Sequence, residues 1–113
     1  MPWGTVELEA EVETWHAGLS DHDRGRVAFY FDLLEDRGVA LGEPYTRQLR
    51  GKLRELRFYL GSARQRITYY IASGRRIVLL TVFAKSRQRH EAEIKRADRA
   101  MQRCIERGHT AEE

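Results

Sequence analysis

The chain has very little cysteine, no long apolar run and, over its central part, almost no acidic residues. Cys104 is the single cysteine, which excludes an internal disulfide and a cysteine-based zinc site. No stretch approaches the roughly 20 apolar residues that cross a bilayer, and the acidic N-terminus lacks the apolar region of a signal peptide. For a chain of 113 residues, we expect one single-core, cytoplasmic domain spanning residues 1–113.

Acidic residues are scarce between Thr46 and His90. This segment contains twelve Lys or Arg residues and one acidic residue, Glu55, so its net charge is +11. The first 45 residues hold ten acids and three arginines, so the overall net charge of +3 hides two oppositely charged halves. Cations collected in one segment favour a polyanionic partner, because neutralising phosphates releases bound counterions. A well-solvated basic surface is the alternative explanation.

The N-terminal third predicts one strand followed by two helices. Residues 5–11 alternate apolar and acidic side chains, as in a strand with one buried face. A short helical turn is expected at 13–19. Ser20 and the acids after it are typical of a helix start, and Gly38 is the expected residue that ends this helix.

The rest of the chain predicts three strands and a final helix. Residues 45–51 are expected to be a cationic connector. Strands are predicted at 53–60, 66–72 and 77–83, and the last is apolar enough to be buried on both faces. An apolar stripe at helical spacing then predicts a helix that ends at Gly108. The order β, α, α, β, β, β, α indicates an α+β domain.

Strand parity selects three cations as candidates for a catalytic site. Arg57 alternates with the core candidates Leu56 and Phe58, so we expect its side chain on the opposite face. Arg66 lies on the next strand as a possible cross-strand neighbour, and Lys85 follows the last strand. Such cations could stabilise the charge that grows on a scissile phosphate. The alternative is that each is an ordinary surface cation.

Six further residues are candidate RNA contacts: Lys52, Arg54, Tyr70, Arg87, Arg89 and His90. Lys52 directly precedes the strand of Arg57. Tyr70 shares parity with Arg66, so we expect its ring to face the RNA and stack on a base or move a proton. His90 is an acid–base candidate because it closely follows Lys85. The histidines form no metal motif, and we expect neither a metal nor a cofactor.

Four sequence segments, in order and at the right spacing, carry a resemblance to a known family. They are the opening strand with the helix that holds FDLLEDRGVALGEPY, then LRGKLRELR, RQRITYYI and IVLLTVFAKS. The chain resembles the HigB-like toxins of the RelE/ParE superfamily, including related phage-derived proteins, over residues 6–103. The family often has two consecutive lysines where Ser86 follows Lys85 here, and Arg87 is the candidate for the missing cation.

The resemblance implies a fold, an activity and partners. The implied fold is a small antiparallel or mixed sheet with N-terminal helices on one face and a C-terminal helix. The implied activity is that of a type II toxin, a ribosome-dependent, metal-independent endoribonuclease that cuts mRNA. The implied partners are the ribosome, mRNA and a helix-turn-helix, HigA-like antitoxin, with operator DNA reached only through the antitoxin complex and no membrane.

Two other functions stay open on the sequence. The ParE branch of the superfamily inhibits DNA gyrase, although it usually lacks a cluster such as Arg57, Arg66 and Lys85. A non-catalytic RNA-binding domain would also explain the cations and tyrosines, since a fold does not fix a function.

Overall fold

The computed structural model describes residues 2–86 and 90–108. Its elements are, in chain order, β1 (Thr5–Leu8), α1 (Ala10–Ala17), α2 (Asp21–Arg37), a 3₁₀ turn (Gly38–Ala40), β2 (Thr46–Arg50), β3 (Leu53–Leu60), β4 (Ala63–Ala72), β5 (Arg76–Ala84) and α3 (His90–Glu106). The predicted α+β class is confirmed. In the described residues, no helix has the length and apolar character needed to cross a bilayer.

The strands form one mixed sheet in the order β1-β5-β4-β3-β2. β1 runs parallel to β5, and the other three neighbouring pairs are antiparallel. β5 lies between two partners and is buried from Ile77 to Thr81, which confirms the strand predicted to be covered on both faces. The strands β1 and β2 form the two edges of the sheet.

Two boundaries near the N-terminus differ from the prediction. β1 ends at Leu8 rather than Glu11, because Glu9 takes the N-cap position of α1. The Glu11 carboxylate accepts a hydrogen bond from the N–H of Val82 at 2.9 Å, so it anchors α1 to β5. The alternation of glutamates with apolar residues therefore ends at a helix start, and the helix begins three residues earlier than expected.

The cationic connector predicted at 45–51 is wrong. Thr46–Arg50 forms strand β2, with Thr46 opposite Leu56 in the register with β3. An edge strand has one neighbour, and this one is exposed at Arg47, Gln48 and Arg50. Its sequence is polar because so little of it is buried, which conceals the strand pattern.

Helix α2 begins and ends as predicted. The Ser20 hydroxyl accepts a hydrogen bond from the N–H of Asp23 at 3.1 Å. Gly38 follows the helix with a φ of 49°, and the ring of Trp3 lies so close that an added Cβ would sit 2.0 Å from it. Gly38 is therefore required both by its backbone conformation and by this contact.

Helices cover both faces of the sheet. On one face, α1 and α2 pack over a core that includes Leu56, Phe58 and Ile67. On the other face, α3 packs over Leu53 and Tyr70, among others. Those residues lie toward one end of β3 and β4, so the opposite end of this second face extends beyond α3.

Candidate functional site

The part of the sheet that extends beyond α3 carries cations in rows across three strands. Arg57 of β3 stands opposite Arg66 of β4, and Tyr59 stands opposite Arg64 in the next row. Lys85 extends that second row, because its N–H donates to the carbonyl of Arg64 at 2.8 Å. Residues opposite each other on antiparallel strands direct their side chains to the same face of the sheet. The three predicted catalytic cations, Arg57, Arg66 and Lys85, therefore lie close together.

These rows form one wall of a cleft of about 440 Å³. The cleft lies where β3 extends past the end of β2, so it is reached from the sheet edge as well as from the face. The residues that line it are Tyr30, Pro44, Tyr45, Arg57, Phe58, Tyr59, Arg64, Arg66 and Lys85. Four of the nine are cations and none is acidic, so the cleft is suited to a phosphate.

A buried carboxylate lies beneath the cations. Glu55 is 2% exposed, and its Oε2 is 3.6 Å from Nε of Arg66 and 3.9 Å from Nε of Arg57. Burying an unpaired carboxylate is costly, whereas two neighbouring guanidinium groups neutralise it. Glu55 therefore forms ion pairs with both arginines, at distances longer than a hydrogen bond.

The two arginines have different environments. The Arg66 side chain is 6% exposed, while that of Arg57 is 27% exposed and reaches further into solvent. Burial lowers the pKa of Arg66, Glu55 opposes this shift, and Arg57 and Arg64 add to it. Arginine stays protonated in proteins, so Arg66 serves as a fixed positive charge rather than a proton donor.

The prediction that Tyr70 faces the RNA is wrong. Its side chain is fully buried under α3, and its hydroxyl donates to Sγ of Cys104 at 3.1 Å. Burial and the contact with Cys104 raise the pKa of Tyr70. Parity correctly placed Tyr70 and Arg66 on one face, but α3 covers the end of that face where Tyr70 lies.

If the protein cleaves RNA as the sequence predicts, replacing Tyr70 by phenylalanine is expected to leave the cleavage rate within about twofold of that of the parent. The change removes a buried hydroxyl far from the cleft and should cost roughly 1 kcal/mol in the free energy of unfolding. Cleavage rate and urea unfolding, measured on the same preparation, check both parts. If the variant loses a larger fraction of its cleavage activity than of its folded protein, Tyr70 would again be a candidate site residue.

Of the other predicted RNA contacts, the three that the structure describes lie outside the cleft lining. Arg54 is on the α2 face, where it donates to the Tyr69 hydroxyl at 3.4 Å and to the Thr46 hydroxyl at 3.2 Å. Lys52 is in the turn between β2 and β3, at the end of β3 away from the cleft. His90 begins α3 and is half-buried. Arg87 and Arg89 lie outside the described residues.

Several residues of the cleft and its base were not predicted from the sequence as site residues. Glu55 and Arg64 had a signal, because Glu55 shares the parity of Arg57 and the two-residue Gly61–Ser62 turn sets Tyr59 opposite Arg64. Tyr30 and Tyr45 had no such signal. They come from α2 and from the loop before β2, and only tertiary packing brings them to the cleft.

Residues 2–86 and 90–108 contain no cluster of three or more His, Cys, Asp or Glu that could hold a metal ion. The charged side chains that line the cleft are all cations, an arrangement that suits an anion.

Comparison with known proteins places the chain in a family. The family model described as "Phage derived protein Gp49-like (DUF891)" matches residues 14–103. No curated protein matches the chain. Among solved structures, a double arginine-to-alanine mutant of E. coli toxin RelE in the free state is 15% identical. That match covers 91% of this chain and 98% of that chain, with a TM-score of 0.58. The chain therefore belongs to the phage-derived Gp49-like family, a RelE/HigB-type toxin family, and has the RelE fold.

Proposed function

We propose that the protein is the toxin of a type II toxin–antitoxin pair and cleaves mRNA as a ribosome-dependent, metal-independent endoribonuclease. The observation that carries this proposal is that Arg57, Arg66 and Lys85 line one cleft. Family membership supports the toxin part of the proposal. The gyrase-inhibiting alternative does not explain why two arginines pair with a buried carboxylate beside an open cleft.

The reaction that suits this cleft is attack of a ribose 2′-OH on the adjacent phosphate. The new bond joins the 2′-oxygen to phosphorus and the bond to the 5′-oxygen breaks, leaving a 2′,3′-cyclic phosphate and a 5′-OH. One proton leaves the 2′-OH and one joins the 5′-oxygen, so neither water nor an oxidant is consumed.

The cleft cations serve this reaction through charge. In this proposal, Arg57 and Arg66 stabilise the phosphate oxygens as negative charge grows on them. Lys85 contributes an exposed ammonium that can donate to the leaving oxygen. The 2′-OH proton passes to solvent water at the open cleft, because Glu55 lies buried beneath the arginines and is paired with them.

The proposed partners follow from the same charge pattern. An mRNA held in the ribosome presents single-stranded phosphates to the cleft, and the counterions they release favour binding. We expect an antitoxin of the helix-turn-helix, HigA-like type to neutralise the toxin, with an acidic segment suited to the cleft cations. Operator DNA would be contacted only by the antitoxin complex.

Growth after induced expression of the protein alone, with mapping of mRNA 5′ ends in the same culture, tests the proposal. Arrest with new 5′ ends at codon-phased positions is the expected result. Arrest with intact mRNA and damaged or over-supercoiled DNA would support gyrase inhibition instead. Growth without arrest would contradict the proposed function.

Removing divalent ions with a chelator is expected to leave the chemical step intact, since the proposed site works through arginine and lysine. Cleavage should be measured beside ribosome integrity, because chelation also dissociates ribosomes. Cleavage that is lost while ribosomes remain assembled, and that one divalent ion restores, would indicate a metal nuclease.

A further inference from the structure

The loop that joins the 3₁₀ turn to β2 forms another wall of the cleft. Two residues of this loop, Pro44 and Tyr45, line the cleft. The ring of Tyr45 tilts against that of Tyr30 with centroids 6.4 Å apart, and the Tyr45 carbonyl accepts a hydrogen bond from the N–H of Arg57 at 2.8 Å. The loop, residues 41–45, is therefore bound to the strand that carries a proposed catalytic residue.

Thr46, the first residue of β2, closes this loop from the core side. It is 1% exposed, and its hydroxyl donates to the carbonyl of Leu41 at 2.6 Å. The N–H groups of Tyr45 and Thr46 both donate to the carbonyl of Gly42, at 3.1 and 3.2 Å. The two ends of the loop are thus joined by one side-chain hydrogen bond and two backbone hydrogen bonds.

Arg54 of β3 completes the hydrogen bonding of Thr46. Its Nη2 donates to the Thr46 hydroxyl at 3.2 Å, and its Nε donates to the hydroxyl of the buried Tyr69 at 3.4 Å. A threonine hydroxyl has one proton and two lone pairs, whereas a guanidinium can only donate. The Thr46 hydroxyl must therefore accept from Arg54, which leaves its single proton for Leu41.

No ion pair accounts for the position of Arg54. Within residues 2–86 and 90–108, no carboxylate lies within 4.0 Å of its guanidinium. Arg54 is half-buried, and an apolar side chain would pack there without the cost of removing a charge from water. What this arginine adds to packing is its hydrogen bonds to two buried hydroxyls.

We infer that Arg54 is a positioning residue for the cleft. Through the Thr46 hydroxyl it holds residues 41–45, and so keeps this wall of the cleft against β3 without touching RNA. The inference rests on the proposed function, because the reaction that it serves is the one assigned to this cleft. It gives a role to a cation of the basic segment that lies on the opposite face of the sheet from Arg57.

Hydrogen exchange of backbone amides tests the anchor in the full chain without RNA. Arg54→Met keeps an apolar stem and removes the donors. We expect the amides of Tyr45, Thr46 and Arg57 to exchange about 5- to 10-fold faster, the usual effect of one lost hydrogen bond on a local opening. Tyr70→Phe is the control, because it removes a buried hydroxyl beneath α3 and should leave these three amides unchanged. Equal acceleration in Tyr70→Phe, or none in Arg54→Met, would overturn the inference.

A second variant tests whether Arg54 acts through Thr46. Thr46→Val removes the hydroxyl with little change of shape and should accelerate the same amides. In the double variant Arg54→Met, Thr46→Val, exchange should be no faster than in Thr46→Val alone, because the link between Arg54 and the loop is already lost. Factors that multiply in the double variant would show that Arg54 acts independently of Thr46 and would contradict the inference.

The part that Arg54 takes in the reaction is measured as the cleavage rate on programmed ribosomes. We expect kcat to fall in Arg54→Met by about the factor seen in exchange, and the double variant to cleave no more slowly than Thr46→Val. Arg99→Met, which removes an exposed arginine of α3 outside the cleft, should cleave like the parent.

The salt dependence of RNA binding separates a positioning residue from a phosphate contact. The probe is a 2′-O-methyl oligonucleotide, which lacks the attacking hydroxyl. Arg54→Met should keep the slope of log affinity against log salt concentration, because each lost phosphate contact would reduce that slope by about 0.7 for a single strand. A reduced slope would make Arg54 a direct RNA contact and overturn its positioning role.

These measurements separate the inference from the proposed function. Coupled exchange of the loop amides in a protein that cuts no mRNA would support Arg54 as the anchor of the loop and contradict the nuclease function. Cleavage at the parent rate by Arg54→Met would keep the nuclease function and overturn the positioning role.

Discussion

Replacing Arg57 by alanine is expected to lower the rate of mRNA cleavage by about 10²–10³-fold, the usual effect of removing one preorganised donor from a developing negative charge. Growth arrest should disappear with it. The melting temperature should change little, because the Arg57 side chain is 27% exposed and Arg66, at 3.6 Å, still neutralises Glu55. Initial cleavage rates on programmed ribosomes and thermal unfolding of the same preparations measure the two effects.

Arg99→Ala is the matched control for this variant. Arg99 is an exposed arginine on α3, outside the cleft, so the substitution removes the same charge without touching the site. A comparable loss of cleavage in Arg99→Ala would show that general attraction to RNA, rather than catalysis, depends on these residues. Arg57→Lys keeps the charge but loses the planar fork of donors, and we expect its rate to fall between those of the parent and the alanine variant. If Arg57→Ala cleaves like the parent, the proposed site is wrong.

The sequence was sufficient to predict the part of the site that depends on strand parity. Leu53–Leu60 alternates so clearly that the strand matches its predicted bounds, and the short turn at Gly61–Ser62 then brings Arg57 opposite Arg66. Parity and turn length are local properties, since the side-chain period of a strand is two. The pairing of these two arginines therefore required no knowledge of tertiary structure.

Features that depend on what covers the sheet could not be predicted in the same way. The path of α3 decides that Tyr70 is buried while Arg66, on the same face, lines the cleft. The position of α2 brings Tyr30 to the cleft, although Tyr30 belongs to a helix far from the basic segment in sequence. Parity assigns a residue to a face, whereas helix packing determines which part of that face remains open.

The face on which Glu55 lies could be predicted from strand parity, but its pairing with the arginines could not. Its parity with Arg57 was visible in the sequence, but a single acid among twelve cations has the appearance of a minor exception. Glu55 matters to the site because its side chain is buried, at 2% exposure. A carboxylate removed from water must be neutralised, so its burial requires cations such as Arg57 and Arg66 close to it.

Replacing Arg66 by alanine is expected to affect stability and activity for separate reasons. Without Arg66, the buried Glu55 carboxylate keeps only Arg57, with Nε 3.9 Å from Oε2. Removing one partner of a buried ion pair typically costs about 3–5 kcal/mol, a large part of the roughly 5–15 kcal/mol that stabilises a small domain. We expect a loss near the lower end of that range, because Arg57 partly compensates, and a cleavage rate below detection. Urea unfolding and single-turnover cleavage measure the two effects.

The double variant Glu55→Gln, Arg66→Ala separates these effects. Glutamine removes the buried negative charge, so most of the lost free energy of unfolding should return relative to Arg66→Ala alone. Cleavage should not return, since the fixed positive charge beneath the phosphate is still missing. Glu55→Gln alone completes the cycle, and the interaction free energy obtained from the four proteins gives the strength of the pair. A double variant that regains both stability and cleavage would show that Arg66 only neutralises Glu55 and that catalysis depends on the remaining cleft cations.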